Sequence, residues 1–431
     1  MRIGMVSATY DPTVVNGAVR MVALYKEHLE ALGHEVYIFT LGEPEESDDA
    51  ARIIRSPGIR LGGYGYYISI SYTREAQALL RQMDVVHCHH LLMSVELAHR
   101  YVQCPIVYTN HTRYDLYTGT YTPLPQPAAD AIMRQVWPEF TDLADVIIAP
   151  SEGVRQVMQG FGVRGRIVVI ENGVDLERFL HPRRPRTKSD YGLPDSARLL
   201  VYVGRLATEK NIEALLTQFA AARALMPDLH LALIGKGPQE AELKELTEEL
   251  ELGDAVQFCG IVDYAEVPDW LAAADAFVTA STSEVHPLTV IEAMATGIPV
   301  AAVRSPGISD SIQSGMTGYL AADEDGLDAA IVALMSDPDK TKAMGAAARE
   351  ASKRFDIHRT VAETVKLYEE LLATRPDLQR AEKHGRWAQR TQKWGGLLNQ
   401  LAEMVRPTGE IDEVTRHWWS LNSTVSRKHN E

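Results

Sequence analysis

Residues 275–303 set two short apolar runs on either side of a polar loop and a helical stretch, and few folds accept that succession. Asp275-Ala276-Phe277-Val278-Thr279 reads as a buried strand, and Pro299-Val300-Ala301-Ala302-Val303 reads as the next. Unbroken apolar runs of this kind belong to strands covered on both faces, and strands joined through a helix run parallel. Between them, Pro287 to Thr296 is predicted as a helix of about three turns, since an α-helix takes about 3.6 residues per turn. Pro287 suits the first helical position, where its missing N–H costs nothing, and Gly297 suits the stop. The N–H groups of Leu288, Thr289 and Val290 then point out of the helix start, where unsatisfied donors and the positive end of the dipole attract an anion. Glu284 and Glu292 flank that point. A carboxylate accepts hydrogen bonds from neighbouring hydroxyls. The implied ligand has an anionic centre and a polyol on either side, which is the layout of a sugar nucleotide.

The same alternation runs along the chain. In the first half, Arg2 to Ser7, Val36 to Thr40, Asp84 to His89, Pro105 to Thr112 and Val146 to Ala149 read as strands. Helices are predicted from Ala18 to Leu32, stopped by Gly33, and from Ser151. In the second half, Arg198 to Val203, Leu229 to Ile234 and Val256 to Val262 are strands. The expectation is an α/β protein of two Rossmann-like parallel-sheet domains. A dinucleotide fingerprint is absent: Gly235-Lys236-Gly237-Pro238 begins like one, but its third glycine position holds Glu240. Asn172-Gly173 marks a turn near a domain boundary, and the Arg- and Pro-rich run 182–188 reads as linker.

A net charge of −15 excludes nucleic acid as a main partner. Cys88, Cys104 and Cys259 have no metal-ligand spacing and read as reduced thiols. The chain opens on a strand, and no apolar run reaches the roughly 18 residues that suggest a span. These features predict a cytoplasmic protein.

The stretch around Glu284 and Glu292 resembles the Glu-x7-Glu motif of family 4 of the retaining glycosyltransferases, which have the GT-B fold, and Glu-Ala-Met-Ala-x-Gly-x-Pro-Val extends the match. The resemblance covers about residues 1–372. It implies a GT-B fold with an acceptor domain over 1–172, a donor domain over 173–357, and a helix over 358–374 packing back on the first domain. In such enzymes the first glutamate, here Glu284, holds the donor hexose, and the second, here Glu292, holds the ribose. Gly204-Arg205 through Lys210-Asn211 matches the family pattern Gly-Arg-x-x-x-x-Lys, so Arg205 and Lys210 would clamp the diphosphate. Two fixed cations can stabilise the charge that builds on that leaving group, so no metal or other cofactor is expected. Gly17 resembles the glycine loop that approaches the donor, and Gly235, Gly260 and Ile261 the turns beside the phosphates and the base. His111, at the end of its strand, corresponds to a histidine facing the transferring sugar. The chain departs from the family at Val285-His286-Pro287, which puts an imidazole near the hexose and leaves its identity open.

The run His111-Thr112-Arg113-Tyr114-Asp115 through Tyr117 and Tyr121 resembles bacterial glycosyl-diacylglycerol synthases, which puts Tyr114 and Asp115 at the acceptor. His87 and His89 read as structural. The tyrosine-rich segment 64–72 reads either as a membrane or acceptor contact or as a loop packed on its own domain. Residues 375–431 lie beyond the resemblance and hold four of the six tryptophans. Trp387, Trp394 and Leu401 recur every seven residues, with six cations against three carboxylates over 375–405. Such a helix lies in a membrane interface or docks on its own chain or a second copy. The expected activity is hexose transfer from a nucleotide sugar such as UDP-glucose to a lipid such as diacylglycerol. A soluble sugar, sugar phosphate or polysaccharide acceptor, a donor epimerase and a non-catalytic sugar-nucleotide-binding scaffold are the alternatives. The sequence leaves the oligomeric state open.

Overall fold

A computed structural model of the chain describes residues 1–11, 16–61, 66–69, 71–121 and 125–374. The tryptophan-rich tail, Tyr64 and Ile70 lie outside the described residues.

The strands are β1 (Arg2–Val6), β2 (Glu35–Leu41), β3 (Ile53–Ser56), β4 (Ile59–Leu61), β5 (Tyr66–Ile68), β6 (Val85–Cys88), β7 (Ile106–Thr109), β8 (Val146–Ala149) and β9 (Ile167–Val169) in the first half. The second half supplies β10 (Arg198–Val203), β11 (Leu229–Ile234), β12 (Val256–Gly260), β13 (Ala276–Thr279), β14 (Val300–Val303) and β15 (Gly318–Ala321). The first half forms a seven-stranded sheet in the order β3-β2-β1-β6-β7-β8-β9, and the second a six-stranded sheet in the order β12-β11-β10-β13-β14-β15. Every pairing in both is parallel. The central strands β6, β7, β8, β13 and β14 are buried along their whole length, which is why each appears in the sequence as an apolar run. Each sheet reverses its order once, between β1 and β6 and between β10 and β13. The loops leaving those pairs diverge, and open α/β sheets place their ligands in the crevice so formed.

β4 and β5 make a separate antiparallel hairpin. In β5, Tyr67 is half-buried against the first sheet's core, and beyond the hairpin Tyr72 is only 3% exposed. For Tyr72 the reading of a side chain packed on its own domain holds, because burial among apolar neighbours uses its ring.

Among the described residues, the chain passes between the two halves twice. Val174 N donates to Phe355 O at 2.9 Å and Ile357 N donates to Val174 O at 3.1 Å, so the two crossings are bonded to each other. A Cβ on Gly173 would meet Ile357 Cα at 2.4 Å, so only glycine lets the crossings touch. The helix Ile357–Thr374 then returns to the first half. Its Thr364 hydroxyl lies 3.2 Å from the Tyr25 hydroxyl, and its Tyr368 hydroxyl lies 2.6 Å from His87 Nδ1.

Candidate active site

In the second half, the loop after β10 and the loop after β13 meet at the point where the strand order reverses. Lys210 Nζ donates to Glu284 Oε1 at 2.7 Å, and Ser281 Oγ donates to the same oxygen at 2.8 Å. Ser283 Oγ donates to the Glu209 carbonyl at 2.8 Å, tying one loop to the other. The Arg205 guanidinium is paired with the Glu209 carboxylate. Both cations of the sequence motif therefore face a carboxylate. Burial opposes the charge on Lys210, but Glu284 and the phenols of Tyr117 and Tyr202 outweigh it and hold the ammonium above the usual lysine value. Tyr117 comes from the helix Tyr114–Tyr121 of the first half; burial raises its phenol, with Lys210 and Glu284 the next influences upon it.

The helix Leu288–Thr296 begins one residue later than expected. Pro287 has ψ 109° and is the cap, because its extended backbone precedes the first helical residue. No side chain caps this helix start, so the N–H groups of Leu288 and Thr289 keep the character of an anion site. Gly297 ends the helix in the left-handed region at φ 93°. His286 lies elsewhere than anticipated: it is 2% exposed, with its ring edge-on to Phe355 at 5.0 Å. Burial pushes its imidazole down to about 3, and its ring fills space beside the crossing point of the two halves.

Three glycine-bearing loops stack at the ends of β10, β11 and β12. Gly235 N donates to Gly260 O at 2.8 Å, and a Cβ on Gly235 would lie 1.9 Å from Gly204 O. Ile261, next in the chain, is 66% exposed.

Glu292 is buried in the second turn of its helix at 1% exposure. Its Oε1 accepts from Arg20 Nη1 at 2.7 Å and from the Tyr264 hydroxyl at 3.1 Å. Burial raises this carboxyl above its ordinary value, and Arg20 and then Tyr264 oppose the rise. Arg20 belongs to the helix Gly17–Ala31 of the first half, so this ion pair crosses between the two sheets.

In the first half, Asn16 caps that helix by accepting from Ala18 N at 2.9 Å, and Gly17 follows with open space where a Cβ would be. His111 is partly exposed, and its Nε2 lies 3.0 Å from His89 Nδ1. His89 lies in turn against His87, with ring centroids 4.2 Å apart and the planes tilted by 32°. Burial first, then the neighbouring histidines, pushes His111 down to about 3, so the ring is neutral at ordinary pH. His89, read as structural, is thus a direct partner of His111.

Tyr114 and Asp115 are taken up by the protein itself. Asp115 is 4% exposed and receives Arg113 Nε at 2.9 Å and Nη2 at 2.7 Å. The Tyr114 hydroxyl accepts from Leu91 N at 3.0 Å, and its ring stands edge-on to Trp137. The buried Asp115 carboxylate keeps the partner nearest to it, and the half-buried Tyr114 also braces the loop after β7.

Arg20 and Tyr264 were not singled out from the sequence: Arg20 lies one helical turn beyond Gly17, a weak signal, and Tyr264 carries none. Among the described residues, no group of three or more His, Cys, Asp or Glu is placed to hold a metal ion, and no helix is long and apolar enough to cross a membrane.

The geometry has counterparts. Residues 183–351 match the family described as glycosyl transferases group 1, and residues 15–178 match Glycosyltransferase Family 4. The chain is 30% identical over 358 residues to the alpha-monoglucosyldiacylglycerol synthase of Streptococcus pneumoniae, spanning 79% of each chain. The chain belongs to the group 1, family 4 glycosyltransferases. Within this family it is also 31% identical to a D-inositol 3-phosphate glycosyltransferase of Catenulispora acidiphila, across 66% of this chain and 70% of the other. Among solved structures, sucrose-phosphate synthase from Thermosynechococcus elongatus superposes with a TM-score of 0.71 at 25% identity, covering 86% of this glycosyltransferase and 99% of that chain. Anabaena HepE in complex with UDP-glucose gives a TM-score of 0.66 at 20% identity, covering 85% and 99%. The two-sheet architecture is thus the GT-B fold.

Proposed function

We propose that this glycosyltransferase moves a hexose from a nucleoside diphosphate, UDP-glucose first, to the hydroxyl of a lipid such as diacylglycerol, with retention of configuration. The observation that carries the reading is the pairing of Lys210 with Glu284 beside Arg205 and the uncapped start of the Leu288–Thr296 helix. It sets donors suited to a diphosphate against an acceptor suited to sugar hydroxyls. On donor binding, Arg205 and Lys210 exchange carboxylates for phosphate oxygens. Charge-assisted hydrogen bonds make such an exchange nearly even, and it leaves Glu284 to accept from the hexose. Neutral His111 offers one ring nitrogen to the sugar. The acceptor oxygen forms its bond to the anomeric carbon on the face the diphosphate leaves, and a phosphate oxygen takes the acceptor proton. The cations offset the charge on the leaving group, so the chemistry proceeds without a metal.

Two relatives support the lipid acceptor: the pneumococcal synthase and a second alpha-monoglucosyldiacylglycerol synthase, from Acholeplasma laidlawii, at 29% identity. The UDP-glucose complex of HepE supports the donor. A phosphorylated polyol acceptor is the second reading, favoured by the D-inositol 3-phosphate glycosyltransferase match. The basic tail at 375–405 would hold the enzyme on the membrane that contains a lipid acceptor.

The test is transfer from labelled UDP-, ADP- or GDP-glucose, with EDTA present, to diacylglycerol in vesicles or to inositol phosphates in solution. Labelled glycolipid is the expected product. Glycosylated inositol phosphate alone would replace the lipid reading, and donor binding with neither product would leave a scaffold.

A further inference from the structure

Arg20 is absent from the sugar-nucleotide motifs of the sequence, yet it makes the closest contact to one of the two motif glutamates. Its helix belongs to the first sheet, and Glu292 belongs to the second, 272 residues away along the chain. Three groups lock together there. The Arg20 guanidinium carbon lies 3.4 Å from the centroid of the Tyr264 ring, and the Tyr264 hydroxyl donates to the carboxylate oxygen that Arg20 also contacts. Cation–π stacking fixes the plane of the guanidinium and so the direction of its bond to Glu292. The result is asymmetric. Oε1 of Glu292 takes two donors, and Oε2 is buried with no hydrogen-bond partner. An ionised carboxylate has acceptor capacity on both oxygens, and leaving one buried and empty is costly.

We infer that Arg20 is a positioning residue for donor recognition: from the opposite sheet it holds Glu292 ionised and turned so that Oε2 is kept for a ribose hydroxyl of the nucleotide. This rests on the reading of Glu292 as the ribose ligand. It adds that half of that site is built by the other sheet, so ribose recognition and the approach of the two halves are one event. A donor whose ribose lacks its hydroxyls gains nothing from Arg20. A nucleotide with both hydroxyls binds to a carboxylate already aligned.

The test is titration calorimetry of UDP, ADP and GDP, each against its 2′,3′-dideoxy form, on the wild-type chain and on Arg20→Ala, Arg20→Lys and Tyr264→Phe. Wild type is expected to prefer the complete ribose of one nucleotide. Arg20→Ala is expected to weaken that nucleotide about tenfold, the scale of a hydrogen bond to a charged group, while its dideoxy form changes little. Arg20→Lys restores part of the preference, since the charge returns without the stacked plane. Tyr264→Phe keeps the ring under Arg20, which guards against a general loss of folding in the alanine variant. Equal weakening of both forms in Arg20→Ala, or no weakening, overturns the role given to Arg20. A wild-type chain that binds a nucleotide with no preference for its ribose hydroxyls overturns the ribose reading of Glu292. A wild-type chain that binds none of the three overturns the donor reading itself.

Discussion

Lys210 is paired with Glu284, and on the proposed reading that pairing is a resting arrangement which a bound diphosphate rearranges. Lys210→Ala is expected to lower turnover by about 10²–10³, as loss of one preorganised charge-stabilising donor does. Steady-state transfer assays check this, and a loss of only a few-fold would remove Lys210 from the site. Glu284→Ala should lower turnover on a similar scale while nucleotide binding persists, because the proposed loss is to the hexose alone. The pairing of these residues was not legible beforehand: motif spacing names Lys210 and Glu284 separately, but they are 74 positions apart and only the folded sheet joins them. Arg20 and Tyr264 were hidden for the same reason. Tyr114 and Asp115 show the same limit, since a hydroxyl and a carboxylate look the same in sequence whether they face a ligand or a neighbour such as Leu91 N or Arg113.

Regular elements were far more readable. β8, β10 and β11 begin and end at the residues the apolar runs suggest. Mostly apolar runs covered on both faces stand out from the polar segments around them. The start of the Leu288–Thr296 helix slipped by one residue, since proline's fixed φ fits both a cap and a first turn and only ψ separates them. The loop contacts at Gly235 could not be read at all, because they depend on the distance to another loop. Gly235→Ala has both a left-sided φ of 138° and a clash with Gly204 O to resolve, and is expected to lose about 3 kcal/mol, the upper range for overpacking, in urea unfolding. The returning helix Ile357–Thr374 gives a second case. Tyr368→Phe would leave His87 Nδ1 buried without its partner, and the expected loss is about 1–3 kcal/mol by the same measurement.

Across the whole molecule, burial leaves several histidines neutral. His87, His111 and His286 are pushed down to about 3, His90 to about 4, and His89 well below its ordinary value. Unfolded, each titrates near its ordinary value of about 6.5. Below that pH the unfolded chain binds more protons than the native one, so stability falls as pH drops, and it continues to fall until the native values are reached. At pH 5 each ring costs up to about 2 kcal/mol. Melting temperature is expected to decline steadily from pH 7 to pH 5, with proton uptake on unfolding seen in buffers of different ionisation heat; a flat profile would mean these rings are accessible. One further consequence belongs to the order in which the protein is made. The first sheet is complete only when the last described helix covers Tyr25 and His87, so its closing piece leaves the ribosome after the entire second sheet. The half that is synthesised first is finished last, and until then its uncovered flank is a surface for a chaperone to hold.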